Sequence, residues 1–382
     1  MKILWVNSGL GKTFSNTRLY GIPPALNSMG DENKILIAGK AQTALPKEFV
    51  PLPVPGGRLG AYRLLVTLLL PLLCLKYRPD IILTDWMSAT LTRGVVLFRR
   101  LGLLGCKLVH DVRTVPVKED GGKSLRVFES SIGYAKANFQ GLTTITETLR
   151  DEIHARFKID PGEIAVWTSG VDPDHFQPRD SSQLRRELGL EDKFVVFYHG
   201  SVNQNRGVVE LALSAQYLRD REDVRILILG GGNEWDRLQQ IVKDHQLDRV
   251  ILKPGVPYDQ IPDWIACADL CVVPLPDHPW WRVSSPLKLM EYLAMGKPVL
   301  LTEMQAHRAV VSSDEDAFYV SGNDPQTLAD GIRRAVEKRS AFAEMADRGR
   351  CLAVERLTWR GQAEILRSYL IRVLNEEIHL RR

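Results

Sequence analysis

The segment 282–301 carries the residue types best suited to chemistry in this chain. Ser284 and Ser285 precede Pro286, and this pattern predicts a helix start with serine at the N-cap and proline at the first helical position. The exposed amides of such a helix start, with hydroxyl groups beside them, form an anion site that suits a diphosphate. Lys288 adds a positive charge to this predicted site.

Glu291 lies five residues after Pro286, about 7.5 Å further along the axis of the predicted helix. The phosphates and ribose hydroxyls of a nucleotide are about this far apart, and a carboxylate can accept hydrogen bonds from both hydroxyls. The apolar residues at helical spacing predict a core-facing stripe of Leu287, Met290, Leu293 and Ala294. Lys288 and Glu291 then share the other face, where a surface ion pair is the alternative interpretation.

The stretch 7–16 follows the first apolar run and contains a Gly-Lys-Thr triplet like the end of a phosphate-binding P-loop. Val6 holds the place where a P-loop needs its first glycine, so this loop is too short to wrap a triphosphate. Gly9 and Gly11 instead predict a close approach of the backbone to a ligand, with Lys12 adding charge.

The composition excludes several classes of protein. With 382 residues, of which 45% are hydrophobic and 25% charged, the chain suits a soluble protein of two domains. Residues 1–165 hold 22 Lys and Arg against 14 Asp and Glu, whereas the remainder holds 28 against 32. This basic excess favours an anionic partner or membrane face for the first half, while the lack of interleaved aromatic residues argues against nucleic acid.

Two further features bear on location. We find no signal peptide pattern and expect a cytoplasmic protein. The five cysteines, all expected to be reduced and packed, are Cys74, Cys106, Cys267, Cys271 and Cys351. The apolar run 64–75 is too short to span a bilayer and predicts a buried helix broken near Pro71, with a helix lying at a membrane surface as the alternative.

Short apolar runs rich in β-branched residues alternate with helical stretches along the whole chain. Such a pattern predicts parallel sheets covered by helices on both faces. The runs number twelve, too many for one open sheet, and the charged stretch 172–193 with its prolines predicts a break between domains. The expected fold is α/β, with two doubly wound Rossmann-like domains and a ligand in the cleft between them.

The segment 282–301 resembles the donor-site helix of the retaining glycosyltransferases with two Rossmann-like domains (the GT-B fold), in particular glycosyltransferase family 4. The residues that match the family pattern E-x7-E-A-M-A-x-G-x-P-V are Pro286, Glu291, Ala294, Gly296, Lys297, Pro298 and Val299. The segments that resemble the linker signature, the phosphate-contact loop, the nucleotide-site strands and the closing helix of this family are 167–178, 198–215, 226–274 and 357–374. This resemblance implies an acceptor domain of residues 1–168 completed by a helix at 358–382, and a donor domain of residues 169–357.

The resemblance implies transfer of a sugar, with retained anomeric configuration, from a UDP- or GDP-linked donor to a hydroxyl of a glycan or lipid-linked acceptor. No metal and no cofactor are expected, and the acidic stretch 172–174 is interpreted as a turn. With its basic first half, the protein is expected in the cytoplasm, with peripheral contact at the inner face of the membrane.

The resemblance also assigns roles to residues. His110, at the end of a predicted strand, is expected to face the transferred sugar, although a histidine bonded to Asp111 or to the backbone is the alternative. Arg206 and Lys288 are expected to stabilise the departing diphosphate, and Lys12 and Arg113 are candidates on the acceptor side. The expected donor contacts are Gly9, Gly11, Gly200, Ser201, Arg206, Ser284, Ser285, Lys288, Leu289 and Glu291.

Two departures from the family pattern keep other functions open. Val283 stands in place of the first glutamate, and Ser201 stands in place of the phosphate-loop arginine while Arg206 replaces the usual lysine. A nucleotide-sugar epimerase of the same fold, or a nucleotide-sugar binding protein without activity, are therefore the alternatives to a glycosyltransferase with a variant donor site.

Overall fold

The computed structural model describes residues 1–10, 17–38, 46–52, 59–117, 120–376 and 380. The chain divides into two compact units, and each contains its own parallel sheet with helices packed on it. The first unit comprises Met1–Gly170, Val283–Ser285 and Trp359–Arg382. The second unit comprises Val171–Arg282 and Pro286–Thr358.

In the first unit the described residues form a seven-stranded parallel sheet in the order β3-β2-β1-β4-β5-β6-β7. Its strands are β1 Lys2–Leu10, β2 Glu32–Ala38, β3 Phe49–Leu52, β4 Ile81–Thr84, β5 Lys107–Val112, β6 Gly141–Thr144 and β7 Ile164–Val166. Its helices are α1 Arg18–Ser28, α2 Leu59–Tyr77, α3 Arg93–Arg100, α4 Lys123–Asn138, α5 Glu147–Phe157 and α15 Trp359–Asn375. Short 3-10 turns occupy Ala89–Thr92 and Pro161–Glu163.

The second unit has a six-stranded parallel sheet in the order β10-β9-β8-β11-β12-β13. Its strands are β8 Phe194–Ser201, β9 Val224–Gly231, β10 Val250–Pro254, β11 Leu270–Val273, β12 Val299–Thr302 and β13 Phe318–Val320. Its helices are α6 Ser182–Glu187, α7 Val208–Leu213, α8 Trp235–Asp244, α9 Ile261–Ala266, α10 Pro279–Arg282, α11 Leu287–Ala294, α12 Gln305–Arg308, α13 Pro325–Glu337 and α14 Phe342–Arg356. Its 3-10 turns are Ser214–Leu218, Tyr258–Gln260 and Arg339–Ala341.

Both sheets confirm the predicted doubly wound α/β architecture. In each sheet the strand order reverses direction beside the first strand of the unit, between β1 and β4 and between β8 and β11. Functional side chains in such sheets collect at the carboxyl ends of the strands near this reversal. Among the candidate residues, Gly9 lies in β1, His110 in β5, and Gly200 and Ser201 at the end of β8.

The structure corrects three local predictions in the first unit. Strand β1 continues to Leu10, so Gly9 lies in the strand and not in a loop after it, and the register with β2 shifts between Val6 and Leu10. Strand β3 contains Pro51 and was not predicted; it lies at the edge of the sheet, where a missing amide is tolerated. Helix α2 runs without a break through Pro71.

Two further predictions are corrected in the second unit. The stretch 172–193 is not a linker, because it belongs to this unit, contains α6, and places Phe176 and Leu190 in the core. Four of the cysteines are buried as expected, whereas Cys351 is exposed on α14, where its thiol lies 3.1 Å from Glu355 Oε1.

Helix α15 packs against the other elements of the first unit, to which it belongs. The Tyr369 hydroxyl donates a hydrogen bond to the carbonyl of Glu163 (2.7 Å) and accepts one from the amide of Leu142 (2.9 Å). A methyl group added at Gly21 on α1 would lie 2.5 Å from the Trp359 ring, so only glycine allows these helices to approach so closely. The last described helix of the chain therefore completes the unit that contains its first strand.

Candidate active site

The start of α11 differs in detail from the predicted serine cap. Pro286 occupies the N-cap position, the helix begins at Leu287, and no side chain caps it. The Ser285 hydroxyl lies 2.6 Å from the Thr168 hydroxyl and accepts a hydrogen bond from the Ser169 amide (3.2 Å). Ser285 is therefore held by Thr168 and Ser169 of the same unit, and it does not cap α11.

The backbone at this helix start still provides hydrogen-bond donors. The Leu289 amide donates to the Pro286 carbonyl (3.0 Å), so the amides of Leu287 and Lys288 precede the first hydrogen bond of the helix. Free amides at a helix start attract anions. The Leu289 side chain lies in the core and its amide is occupied, so the structure gives it no polar group for a donor contact.

Glu291 is buried, with 3% of its surface exposed, and does not lie on an open face beside Lys288. The structure thus contradicts the interpretation of these two residues as a surface ion pair. Glu291 Oε2 instead lies 2.9 Å from Nε2 of His199, the residue before Gly200 at the end of β8. A buried carboxylate needs such a partner, because an isolated charge in the interior is unfavourable.

Hydrogen bonds define which nitrogen of His199 carries the proton. The backbone N–H of His199 donates to the Tyr292 hydroxyl (3.1 Å), so the single hydroxyl proton of Tyr292 is directed at His199 Nδ1 (3.0 Å). In the neutral ring the proton is then on Nε2, which donates to Glu291. Among the described residues Glu291 Oε1 has no hydrogen-bond partner, so one oxygen of the carboxylate is fixed and the other remains available.

The role of His199 was missed by sequence reasoning. Its only local signal is its position directly before Gly200, at the end of the apolar run that forms β8. The contact with Glu291 spans 92 residues, so the spacing within either segment could not have predicted it.

Lys288 lies near this carboxylate, and Arg206 lies near Lys288. Nζ of Lys288 is 5.0 Å from the centre of the Tyr198 ring, and Cζ of Arg206 is 4.2 Å from the centre of the Trp281 ring. Burial, followed by the nearby charge of Arg206, lowers the pKa of Lys288 to about 7, while Glu291 acts in the opposite direction. Burial also lowers the pKa of Arg206. A group with negative charge at this position would stabilise the charged form of Lys288.

Two glycines near these cations are held in close contacts with their surroundings. Gly200 has φ +117°, and a methyl group there would lie 2.7 Å from Lys288 Cε. Gly207 has φ +71°, and its methyl group would lie 1.7 Å from the Pro274 carbonyl oxygen. Neither position accepts another residue without a shift of the backbone. Ser201 follows Gly200 as the exposed last residue of β8, and its carbonyl accepts a hydrogen bond from the Tyr198 hydroxyl (2.8 Å).

In the first unit His110 lies in the interior. Its Nδ1 is 3.2 Å from the Thr84 hydroxyl and its Nε2 is 3.3 Å from the Ser131 hydroxyl, and the backbone of Thr84 also acts on the ring. Burial lowers the pKa of His110 to about 4, which leaves the ring neutral at neutral pH. The predicted contact of His110 with a sugar stays a prediction, since both ring nitrogens already have partners within this unit.

Arg113 is also held inside the first unit. Its guanidinium stacks 3.5 Å from the centre of the Trp167 ring and donates a hydrogen bond to the Trp167 carbonyl. Burial lowers its pKa to about 9, opposed by Asp111. Asp111 in turn pairs with Arg18 (3.1 Å). The predicted acceptor contact of Arg113 stays a prediction, while Gly11 and Lys12 lie outside the described residues.

In the described part of the chain, the His, Cys, Asp and Glu side chains form no group of three or more that could hold a metal ion. Ser284 belongs to the first unit and has an interaction partner of its own.

The family model described as glycosyl transferases group 1 matches residues 193–338, and the one described as glycosyltransferase family 4 matches residues 17–175. The chain belongs to the family 4, group 1 glycosyltransferases. The matched region of the second unit contains His199, Arg206, Lys288 and Glu291.

Several relatives and solved structures are similar to this glycosyltransferase. The D-inositol 3-phosphate glycosyltransferase of Acidothermus cellulolyticus is 28% identical over 208 residues, which cover 51% of this chain and 45% of the relative. A D-inositol 3-phosphate glycosyltransferase of Catenulispora acidiphila is 26% identical over 258 residues, covering 64% of this chain and 59% of the relative. The chain thus spans about half the length of these curated relatives.

The fold of the glycosyltransferase is also found in solved structures. Anabaena Alr3699/HepE in complex with UDP superposes with a TM-score of 0.78 at 18% identity, over 97% of this chain and 100% of that one. Sucrose-phosphate synthase of Thermosynechococcus elongatus superposes with a TM-score of 0.74 at 16% identity, over 98% of this chain and 99% of that one. At such identities the likeness establishes the fold of two Rossmann-like domains, and the site must be argued from the residues of this chain.

Proposed function

We propose that the protein transfers a sugar from a nucleotide-diphosphate donor, UDP- or GDP-linked, to a hydroxyl group of an acceptor. The observation that carries this proposal is the arrangement around α11 in a glycosyltransferase of this family. Free amides and Lys288 lie at the start of the helix, and the oriented carboxylate of Glu291 lies one turn further on. The first part suits a diphosphate and the second suits a ribose.

The residues of this site have separate tasks in the proposed reaction. Glu291 Oε1 accepts a hydrogen bond from a ribose hydroxyl, while His199 holds the other oxygen. The amides of Leu287 and Lys288, with the side chains of Lys288 and Arg206, bind the diphosphate. As the bond between sugar and phosphate breaks, negative charge develops on the diphosphate, and these fixed donors stabilise it without reorganisation.

We infer that transfer retains the anomeric configuration and needs no metal. Val283 stands in the place of the first family glutamate, and its buried apolar side chain cannot act as a nucleophile. The departing phosphate oxygen would then accept the proton of the acceptor hydroxyl on the same face of the sugar. Such a route uses the two cations already present and requires no covalent intermediate.

The acceptor is proposed to be a glycan or lipid-linked hydroxyl with anionic groups. Two observations support an anionic acceptor. Residues 1–165 have an excess of basic residues, and the chain is similar to relatives that are named for D-inositol 3-phosphate, an anionic molecule. A cytoplasmic protein with peripheral contact at the inner face of the membrane fits this acceptor class.

One observation favours a second candidate, a nucleotide-sugar binding protein without activity. Val283 has an apolar side chain, and its carbonyl accepts a hydrogen bond from the Thr146 hydroxyl (2.9 Å). It offers no carboxylate to a sugar. This candidate predicts tight binding of a nucleotide sugar with no turnover for any acceptor, and it leaves the roles of Glu291 and Lys288 in binding unchanged.

A binding panel with matched variants tests the proposal. Calorimetry with UDP, GDP, ADP and their glucose or mannose conjugates should show binding of one base class to wild type and a loss of roughly tenfold or more in Glu291→Ala. Glu344→Ala is the control, since this glutamate of α14 is 82% exposed in its side chain. Equal affinities of Glu291→Ala and wild type for every nucleotide would show that the ribose contact is wrongly assigned.

The reaction itself needs a second experiment. With the nucleotide class known, the donor is incubated with candidate glycan and polyprenyl-linked acceptors with and without EDTA. Nuclear magnetic resonance of the product should show the donor's anomeric configuration, and EDTA should not reduce the rate. Inversion of the anomeric configuration, or loss of turnover in EDTA, would contradict the mechanism. Conversion of the nucleotide sugar in the absence of any acceptor, with no hydrolysis product, would indicate an epimerase.

A further inference from the structure

Helix α2 has two faces of opposite character. Leu64, Leu68, Leu72 and Leu75 follow one another at spacings of four, four and three residues, so they form one stripe along the helix. These leucines are between 49% and 65% exposed. Scattered exposed leucines are common, but a continuous stripe of them marks a surface that binds something apolar.

The other face of α2 fixes the helix to the first unit. Tyr62, Val66, Leu70 and Cys74 are fully or almost fully buried. The Tyr62 hydroxyl also donates a hydrogen bond to the Asn7 carbonyl of β1 (2.8 Å). Of the described helices, α2 alone has the length and apolar composition to cross a membrane, yet 28% of that window is buried in the fold. One face of the helix is thus anchored along the first unit.

Helix α3 extends this apolar surface. Gly94 lies against Pro71 at the middle of α2, where a methyl group on residue 94 would be 2.9 Å from the proline Cγ. On α3 and the turn after it, Leu97, Leu101 and Leu103 are between 54% and 62% exposed. We call the seven exposed leucines of α2, α3 and this turn the leucine surface.

Cations accompany the leucine surface. Arg93, Arg99 and Arg100 lie on α3, and Lys76 lies in the last turn of α2. None of these four side chains takes part in an ion pair with a described residue, and Arg100 donates one hydrogen bond to the amide oxygen of Asn138 (2.9 Å). Apolar side chains flanked by unpaired Arg and Lys suit the boundary between acyl chains and anionic headgroups.

We propose that the leucine surface, with the arginines of α3, binds the surface of an anionic lipid bilayer. Helix α2 lies parallel to the membrane plane with its exposed stripe inserted, and the guanidinium groups contact lipid phosphates. The proposal deepens the peripheral membrane contact inferred above by naming the surface that makes it. It does not depend on the transfer reaction, because the lipid itself need not be the acceptor.

Vesicle flotation tests the apolar part. Wild type should float with vesicles of phosphatidylcholine and phosphatidylglycerol. The variant Leu68→Gln/Leu72→Gln should lose roughly tenfold or more in vesicle affinity, because two inserted apolar side chains are removed. The matched control is Val354→Gln/Ile365→Gln, which changes two exposed apolar residues on α14 and α15, 41% and 46% exposed. It should float like wild type.

Charge is tested separately. Arg99→Gln/Arg100→Gln should weaken flotation with the anionic vesicles and remove most of its dependence on salt, because two contacts with lipid phosphates are lost. Vesicles of phosphatidylcholine alone should bind wild type weakly. Equal flotation with neutral and anionic vesicles, unchanged by the arginine variant, would overturn the assignment of an anionic bilayer.

Three outcomes would overturn the whole proposal. The first is wild type that does not float with anionic vesicles, and the second is a leucine variant that floats like wild type. The third is wild type that is a dimer by light scattering and becomes a monomer on Leu68→Gln/Leu72→Gln, since the surface would then bind a second copy. Calorimetry with the nucleotide identified above is run on all variants. Flotation without nucleotide binding would refute the donor site only, and nucleotide binding without flotation would refute the leucine surface only.

Discussion

At the scale of single residues, Lys288 is the group whose charge is most sensitive to its surroundings. Burial lowers its pKa to about 7, so about half of the molecules carry a neutral lysine at pH 7 when no anion is bound. A bound diphosphate favours the charged form, and binding must then take up a proton above this pH.

We therefore expect the affinity for a nucleotide sugar to fall as the pH rises from about 7 to about 9, by up to roughly tenfold per unit, and to be nearly constant below about pH 6. A nucleotide sugar is the right probe because its diphosphate does not titrate in this range. Lys288→Met should bind more weakly and without this dependence. An affinity of wild type that stays flat across the whole range would contradict a role for the charge of Lys288.

Residue types and spacing predicted part of the site. The positions of Lys288 and Glu291 on α11 followed from helical periodicity, but the burial of Glu291 did not. The apolar stripe assigned only one face of α11 to the core, whereas β8 also covers the face with Glu291 through His199. Ser285 was predicted as a cap because its type and position suit one, yet a distant partner, Thr168, takes its hydroxyl. Local sequence carries no information on either partner.

At the scale of elements, the hydrogen bonds around His199 join the end of β8 to α11. Through them the histidine holds the carboxylate of Glu291 and is itself held by Tyr292. A strand and a helix that are distant in sequence thus set the orientation of one side chain. The strands themselves were predictable because they are short apolar runs; β3, with its proline, was not.

Removing this connection should impair recognition of the ribose without removing the carboxylate. We expect His199→Phe to bind the nucleotide roughly tenfold more weakly than wild type, because the buried carboxylate of Glu291 loses the hydrogen bond that fixes its orientation. His199→Gln, whose amide can donate to the same oxygen, should recover part of the affinity. The 2′-deoxynucleotide should separate a positioning role from a structural one, since loss of the hydroxyl should cost wild type more than it costs His199→Phe.

At the scale of the whole molecule, each unit has its own sheet and core, and α15 belongs to the first. Leu366 on α15 is fully buried, whereas its neighbour Ile365 is 46% exposed. The Leu366→Ala change should destabilise the first unit by about 2 to 5 kcal/mol, and Ile365→Ala should change stability by less than about 0.5 kcal/mol. Hydrogen exchange measured by mass spectrometry resolves the two units. Faster exchange in the second unit alone on Leu366→Ala would contradict this assignment of α15.

The position of α15 also has a consequence for biosynthesis. The ribosome makes every residue of the second unit before it makes α15. The apolar side of α1 that α15 covers therefore stays uncovered until α15 has been made, although the rest of the first unit precedes it. Newly made chains should for this reason offer α1 to chaperones until the final helix emerges from the exit tunnel.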